Sequence, residues 1–235
     1  KVQVVMGLLI DSFGRPIGYE LFPGNTFDGK TLPAALEALE KRFGIRKVII
    51  VADKGIASKV NLKDITDRGY SYIFAYRLKS APDKIKEQVF KGSYIDVENE
   101  HDSFKYRVID YTHSFYHNSK KINLDQKIII TYSDARAKKD KIDRDRAIQK
   151  ALSLLEDVSK IKASNKKGAK KYISEHGDNI SYALNTDAIK TDSAFDGYYA
   201  IATNEKDITE LDAISAYHNL YKYLYGHQKE LPVIL

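Results

Sequence analysis

The sequence has no cysteine, no tryptophan, a single methionine and five prolines in 235 residues. Without cysteine there is no disulfide framework, no thiolate zinc site and no cysteine nucleophile, and the composition suits a reducing compartment. No run approaches the eighteen or so uncharged apolar residues of a membrane-spanning helix. The opening Lys1-Val2-Gln3-Val4-Val5 does not read as a signal peptide. A glycine-rich phosphate loop after a strand is also missing, which argues against a nucleotide-binding α/β domain. The six histidines show no metal-binding spacing. His113 and His117 are four apart, but Ser114-Phe115-Tyr116 between them reads as turn-like rather than helical. The expectation is a soluble protein of the cytoplasm.

What is present is an apolar fraction of 43%, enough for a real core, and a formal charge of +6 with Lys and Arg outnumbering Asp and Glu 38 to 32. The surplus is concentrated. From Ala135 to Lys171 there are 13 Lys and Arg against 5 Asp and Glu, an excess of eight, so the rest of the chain is close to balanced. Such a stretch favours an acidic partner, nucleic acid above all. The other reading is a solvated helix face with Asp140, Asp143 and Asp145 interspersed. Lys166-Lys167-Gly168-Ala169-Lys170-Lys171 is its sharpest basic patch, or a loop. Seventeen tyrosines suit base stacking, yet most alternate along strands or fall on apolar helix sides, which points to packing.

The spacing predicts a strand from Lys1 to Ile10, a turn at Asp11-Ser12-Phe13-Gly14, and a second strand from Pro16 to Phe22, together an antiparallel hairpin. Leu32, Ala35, Leu36, Leu39 and Phe43 recur at helical spacing, capped by Thr31 and closed by Gly44. Val48-Ile49-Ile50-Val51-Ala52 reads as a strand buried on both faces, with Asp53 at its C-terminal end, where sheets of this kind present ligand-binding residues. Ser58 caps a short helix to Arg68 that Gly69 closes, and Tyr70 to Leu78 alternates as another strand. Short strand-like pieces follow at Ser93–Val97, Phe104–Tyr111 and Lys127–Tyr132. Asp96, Glu98 and Glu100 share one face of a solvated edge. A long amphipathic helix sets Ile148, Ala151, Leu154, Leu155, Val158 and Ile161 against its basic side. Phe195 to Thr203 is a strand, and the last helix starts at Asp207 with Glu210 as capping-box partner. The architecture expected is a mixed sheet with packed helices.

Asp53 by itself has two readings, a turn-capping carboxylate beside Lys54 or a metal ligand. Four segments taken in order add to this. They are Tyr19-Glu20-Leu21-Phe22-Pro23-Gly24-Asn25-Thr26 with Asp28 and Thr31-Leu32; Ala52-Asp53-Lys54-Gly55; Ser133 to Asp140 running into Asp143-Arg144-Asp145-Arg146; and Phe195-Asp196-Gly197-Tyr198-Tyr199. The ordered set resembles the insertion-sequence-four group of DDE transposases, from Val4 to about Lys222. Asp28 reads as a helix-start residue.

The resemblance implies a ribonuclease-H-like α/β fold, a mixed sheet with flanking helices and a mostly β insertion. It divides the chain into core residues 1–80, an insertion over 81–192 with β strands and a basic helix, and a return strand and C-terminal helix over 193–235. It also implies metal-dependent cleavage and transfer of double-stranded DNA at transposon ends and into a target, Mg²⁺ or Mn²⁺ as cofactor, and assembly into a homo-oligomer. Asp53 matches the family's second catalytic carboxylate and is the metal-ligand candidate. Arg136, Lys138, Lys139, Arg144, Arg146, Lys166, Lys167, Lys170 and Lys171 are the DNA-contact candidates.

Two departures bear on activity. The family's first aspartate belongs to a strand before the segment beginning at Val4, and Asp11 sits in a turn, so the chain reads as truncated at that end. In the last helix Tyr217, His218, Leu220, Tyr221 and Lys222 follow the family pattern, but the glutamate position holds Leu224 and the later lysine position Leu231. Glu230 lies six residues past Leu224, about 9 Å along a helix axis and on another face. The expectation is a chain that does not cut DNA by itself, or a non-catalytic DNA-binding remnant.

Overall fold

A computed structural model describes the backbone of residues 4–10, 16–23, 49–52, 55, 57–98, 103–157, 167–176 and 181–225, with isolated positions at 33, 36, 37, 40–42, 159 and 161. The chain divides into two compact units. The first comprises Lys1–Arg77, Val108–Ile130 and Ala200–Leu235; the second comprises Leu78–Arg107 and Thr131–Tyr199.

In the first unit the expected hairpin is present. β1 (Val4–Ile10) pairs antiparallel with β2 (Pro16–Pro23), from Val4 opposite Pro23 to Ile10 opposite Pro16, with an irregularity at Leu9/Ile10. β3 (Ile49–Ala52) runs parallel to β4 (Ser71–Ala75), with Ala52 opposite Phe74. α1 (Lys59–Asp67) connects them. Ser58 accepts the Asn61 N–H at 3.2 Å and so caps α1, while Leu62 and Ile65, three apart, bury its inner stripe. Gly69 closes it at φ +72°. The helix expected over Thr31–Phe43 lies largely outside the described residues, although Leu36 is buried in the core and Glu40 accepts from Arg68 and from the Tyr70 hydroxyl.

The doubly buried strand is β4 rather than β3. Tyr72, Ile73, Phe74 and Ala75 are all buried, in a strand that lies between β3 and β10 (Tyr198–Thr203), the latter antiparallel to it, and whose alternate side chains are covered on both faces. Among the described residues β3 has one strand neighbour, and its Ile49 is 38% exposed. Its buried residues are Ile50 and Ala52, on a single face. β4 also stops at Ala75, short of the expected Leu78, which begins a 3-10 turn at Leu78–Ser80.

The larger correction is a long hairpin. Instead of short pieces, β6 (Ser103–His117) and β7 (Lys120–Tyr132) flank a two-residue turn, with Asn118 and Ser119 both at positive φ. Turn-like composition concealed it. On the exposed face polar residues pair across the strands, Thr112 with Asp125 at 2.7 Å and Ser114 with Asn123 at 2.7 Å. The opposite face carries Ile109, Tyr111, His113 and Phe115, so His113 and His117 are strand residues. The sheet of this unit runs β3-β4-β10-β7-β6. Its core gathers Ile50, Ala52, Leu62, Ile65, Tyr72, Phe74, Phe115 and Leu124. α6 (Glu210–Tyr225) packs on β3 and β4. It starts three residues later than expected, since Thr209 rather than Asp207 accepts the Asp212 N–H, at 3.1 Å, and also bonds the Asp212 carboxylate.

In the second unit α2 (Asp83–Phe90) buries Ile85 and Val89, and β5 (Ile95–Glu98) pairs antiparallel with the first residues of β6. Asp96 and Glu98 are exposed on this edge, as expected; Glu100 lies outside the described residues. α3 (Asp134–Leu155) is capped by Ser133 and ends before the expected Val158 and Ile161. α4 (Lys167–Lys170), β8 (Ile173–His176), β9 (Ser181–Leu184) and α5 (Thr186–Ala194) follow, β8 and β9 forming a separate antiparallel pair. Phe195–Gly197 is a turn, so β10 begins three residues after the predicted start.

Candidate functional site

The parallel register of β3 and β4 brings their C-terminal ends level, and a cleft of about 380 Å³ opens there. Asp53 and Lys54, which follow Ala52 directly, lie outside the described residues. The cleft is lined by Gly55, Ser58, Tyr72, Tyr76, Arg77, His113 and Gln126, among others. The Tyr72 hydroxyl donates to Gln126 Oε1 at 2.6 Å, and burial lifts this phenol above its ordinary range. Burial, reinforced by nearby Tyr111, pushes Tyr76 up to about 12. Burial and then the Lys59 cation lower His113, so its imidazole is neutral at pH 7. The described lining therefore offers a guanidinium, neutral phenols and a neutral ring.

A hard divalent cation needs converging oxygen ligands, carboxylates above all. No group of three or more His, Asp or Glu that could hold a metal ion occurs among the described residues. The described part of the cleft contributes no carboxylate. These described residues do not by themselves fit the expected Mg²⁺ or Mn²⁺. Position 224, where the resemblance calls for glutamate, is a leucine within α6.

The basic candidates separate into different environments in the second unit. Arg144 faces inward and pairs with both carboxylate oxygens of Asp196, its side chain only 10% exposed. One turn earlier, Asp140 accepts the Gly197 N–H at 3.1 Å, and the Ser133 N–H donates to the Gly197 carbonyl at 3.2 Å. The segments around Ser133–Arg146 and Phe195–Tyr199, fifty residues apart in sequence, are thus one interlock. Gly197 is required in it: φ is +83°, and a Cβ would stand 2.7 Å from the Tyr132 ring and 2.9 Å from Ala137 Cβ. Arg136 lies 3.6 Å from Asp140 and over the Tyr199 ring at 4.5 Å.

Lys171 pairs with buried Asp192, which also accepts from the Tyr172 hydroxyl at 2.7 Å and from Lys79 at 3.2 Å. Lys170 is half-buried, Lys167 is described in backbone only, and Lys166 is outside the described residues. Lys138, Lys139 and Arg146 are exposed on α3. Sequence reasoning passed over Lys141 and Lys150 of the same helix, both exposed; helical spacing from Lys138 and Arg146 was the signal that could have found Lys150.

A family model described as a transposase DDE domain matches residues 3–178, a span that includes Asp53, the hairpin and the whole of α3. The chain belongs to the transposase DDE domain family. A search of curated proteins finds no match to it. Membership makes this a member of a family of DNA-acting enzymes that generally use divalent metals. The matched span takes in α3, and with it the Ser133–Arg146 half of the interlock, while Phe195–Tyr199 lies beyond it. No helix among the described residues is long and apolar enough to cross a membrane.

Proposed function

We propose that the chain is catalytic-domain sequence of an insertion-sequence transposase of the insertion-sequence-four group, acting on double-stranded transposon ends and target DNA. The observation that carries this reading is the family match running through Asp53, the residue that follows Ala52 of β3 in sequence. The family reaction adds water to a phosphodiester, releasing a 3′-hydroxyl, and that hydroxyl then attacks a target phosphodiester, forming a new P–O bond as the target's own 3′-hydroxyl leaves. Asp53 is the residue assigned to the reacting centre, as the ligand of a Mg²⁺ or Mn²⁺ ion. The mixed order β3-β4-β10-β7-β6, with α6 packed on β3 and β4, supports a ribonuclease-H-like core; its bounds at 1–80 and 193–235, with an insertion over 81–192, are proposed from the resemblance, and Val108–Ile130 of that range belongs to the first unit.

A single carboxylate does not complete a phosphoryl-transfer centre. With Leu224 in the glutamate position, this chain by itself binds DNA without cutting it. The second reading, a non-catalytic DNA-binding remnant, draws on that same leucine.

The test is incubation with supercoiled and end-bearing DNA in MgCl₂ or MnCl₂, comparing the chain with Asp53→Ala. DNA retention without nicking in both proteins is expected. Nicking that Asp53→Ala abolishes would overturn the inactivity and leave the transposase assignment standing. Nicking that survives the substitution would remove Asp53 from the centre.

A further inference from the structure

We infer that the outward face of α3 seats the sugar-phosphate backbone of double-stranded DNA, gripping phosphates rather than reading bases; this rests on the DNA-acting function proposed above. At about 100° per residue, Asp140, Arg144 and Ala151 fall on one side of the helix. All three are turned inward, two bonded to the 196–197 turn and Ala151 fully buried. On the opposite side stand Lys138, Lys139, Arg146 and Lys150, all exposed, with Ile142 between them 51% exposed. No carboxylate falls inside this stripe. Asp143 and Asp145 flank it, one 3.5 Å from Arg146 and the other 3.1 Å from Lys141.

Apolar packing does not account for the face. Of the 22 residues of α3, Ala151 is the one that is buried among those described. The four cations extend over about 18 Å of helix axis, a run of roughly five phosphates at ~3.4 Å of rise per nucleotide of one strand. A regularly spaced polyanion matches such a row, whereas a small anion would need donors converging on one point. Three of the four are lysines, compact, strongly hydrated point charges suited to phosphate oxygens.

The experiment measures the affinity of the full chain for a 30-base-pair duplex of arbitrary sequence across a KCl series. It compares the chain with a fourfold variant, Lys138→Gln, Lys139→Gln, Arg146→Gln and Lys150→Gln. A charge-matched control removes Lys84, Lys120, Lys121 and Lys190, all exposed and outside α3. Glutamine keeps helix propensity close to that of lysine and arginine, and a thermal melt by circular dichroism verifies folding. Each phosphate contact contributes about 0.9 to the slope of log affinity against log salt. The α3 variant should therefore lose about two to four units of slope and at least tenfold in affinity, with the control near wild type. Equal behaviour of variant and control overturns the assignment of this face while leaving the DNA-acting function intact. An absence of duplex binding by the wild type overturns both. Binding to phosphatidylserine vesicles without duplex binding overturns the choice of DNA as occupant.

Discussion

Gly197 and Asp192 are the residues on which the second unit is most sharply dependent. Gly197→Ala combines a left-handed backbone with a Cβ placed 2.9 Å from the Ser133 carbonyl oxygen, so a loss of about 2 to 4 kcal/mol in chemical denaturation is expected. A loss below 0.5 kcal/mol would show that the turn relaxes readily. Asp192 is held below the usual carboxylate range: burial raises it, and Lys171, Tyr172 and Lys79 together outweigh burial. A depressed folded-state value means the stabilisation is complete at neutral pH and declines as pH falls below about 4, where the unfolded carboxyl protonates first. Asp192→Asn should cost about 1 to 3 kcal/mol at pH 7 and flatten the acid limb of a stability–pH curve. An unchanged acid limb would refute this account of the residue. None of these dependencies is visible from residue type alone, since Asp192 and Lys79 are separated by more than a hundred positions.

Among the elements, the β6–β7 hairpin turns on two residues in the left-handed region, Asn118 at φ 48° and Ser119 at φ 62°. Asn-Gly is the pair that such a turn favours, so Ser119→Gly should stabilise the protein by about 0.5 to 1 kcal/mol, read as a raised denaturation midpoint. A destabilised Ser119→Gly would mean the Ser119 side chain matters more than its backbone. At the start of α6, Thr209→Ala should cost about 1 kcal/mol, whereas Asp207→Ala should leave stability within about 0.5 kcal/mol; the reverse ranking would restore the cap to Asp207. Elements with strong local punctuation were legible in sequence, among them the β1–β2 hairpin and α1 with its Ser58 cap and Gly69 stop. The long hairpin was not, because the polar cross-strand pairs Thr112–Asp125 and Ser114–Asn123 look like loop until their partners are known. The double burial assigned to β3 belonged to β4, since an apolar run does not say which strand of a sheet is covered on both faces.

At the scale of the whole molecule, β6, β7 and β10 each pass along the chain from one unit into the other. Neither unit is a continuous stretch of sequence, and a single cooperative unfolding transition is expected, with far-ultraviolet and tyrosine near-ultraviolet signals melting together. Two separated transitions would show that the units unfold independently. The functional class was legible because four short segments occur in one order, which composition alone would not have revealed. Individual contact residues were less so: the basic count from Ala135 to Lys171 treats Arg144 and Lys171 like Lys138, although ion pairs with Asp196 and Asp192 engage the first two. The interlock of Asp140, Arg144, Asp196 and Gly197 has a consequence for sequence drift. The four positions form a single heritable character, because losing any one leaves a buried charge, a stranded backbone amide or a clash. In an alignment of relatives they should be retained or replaced as a block, while the lysines on the far side of the same helix interchange freely with arginine.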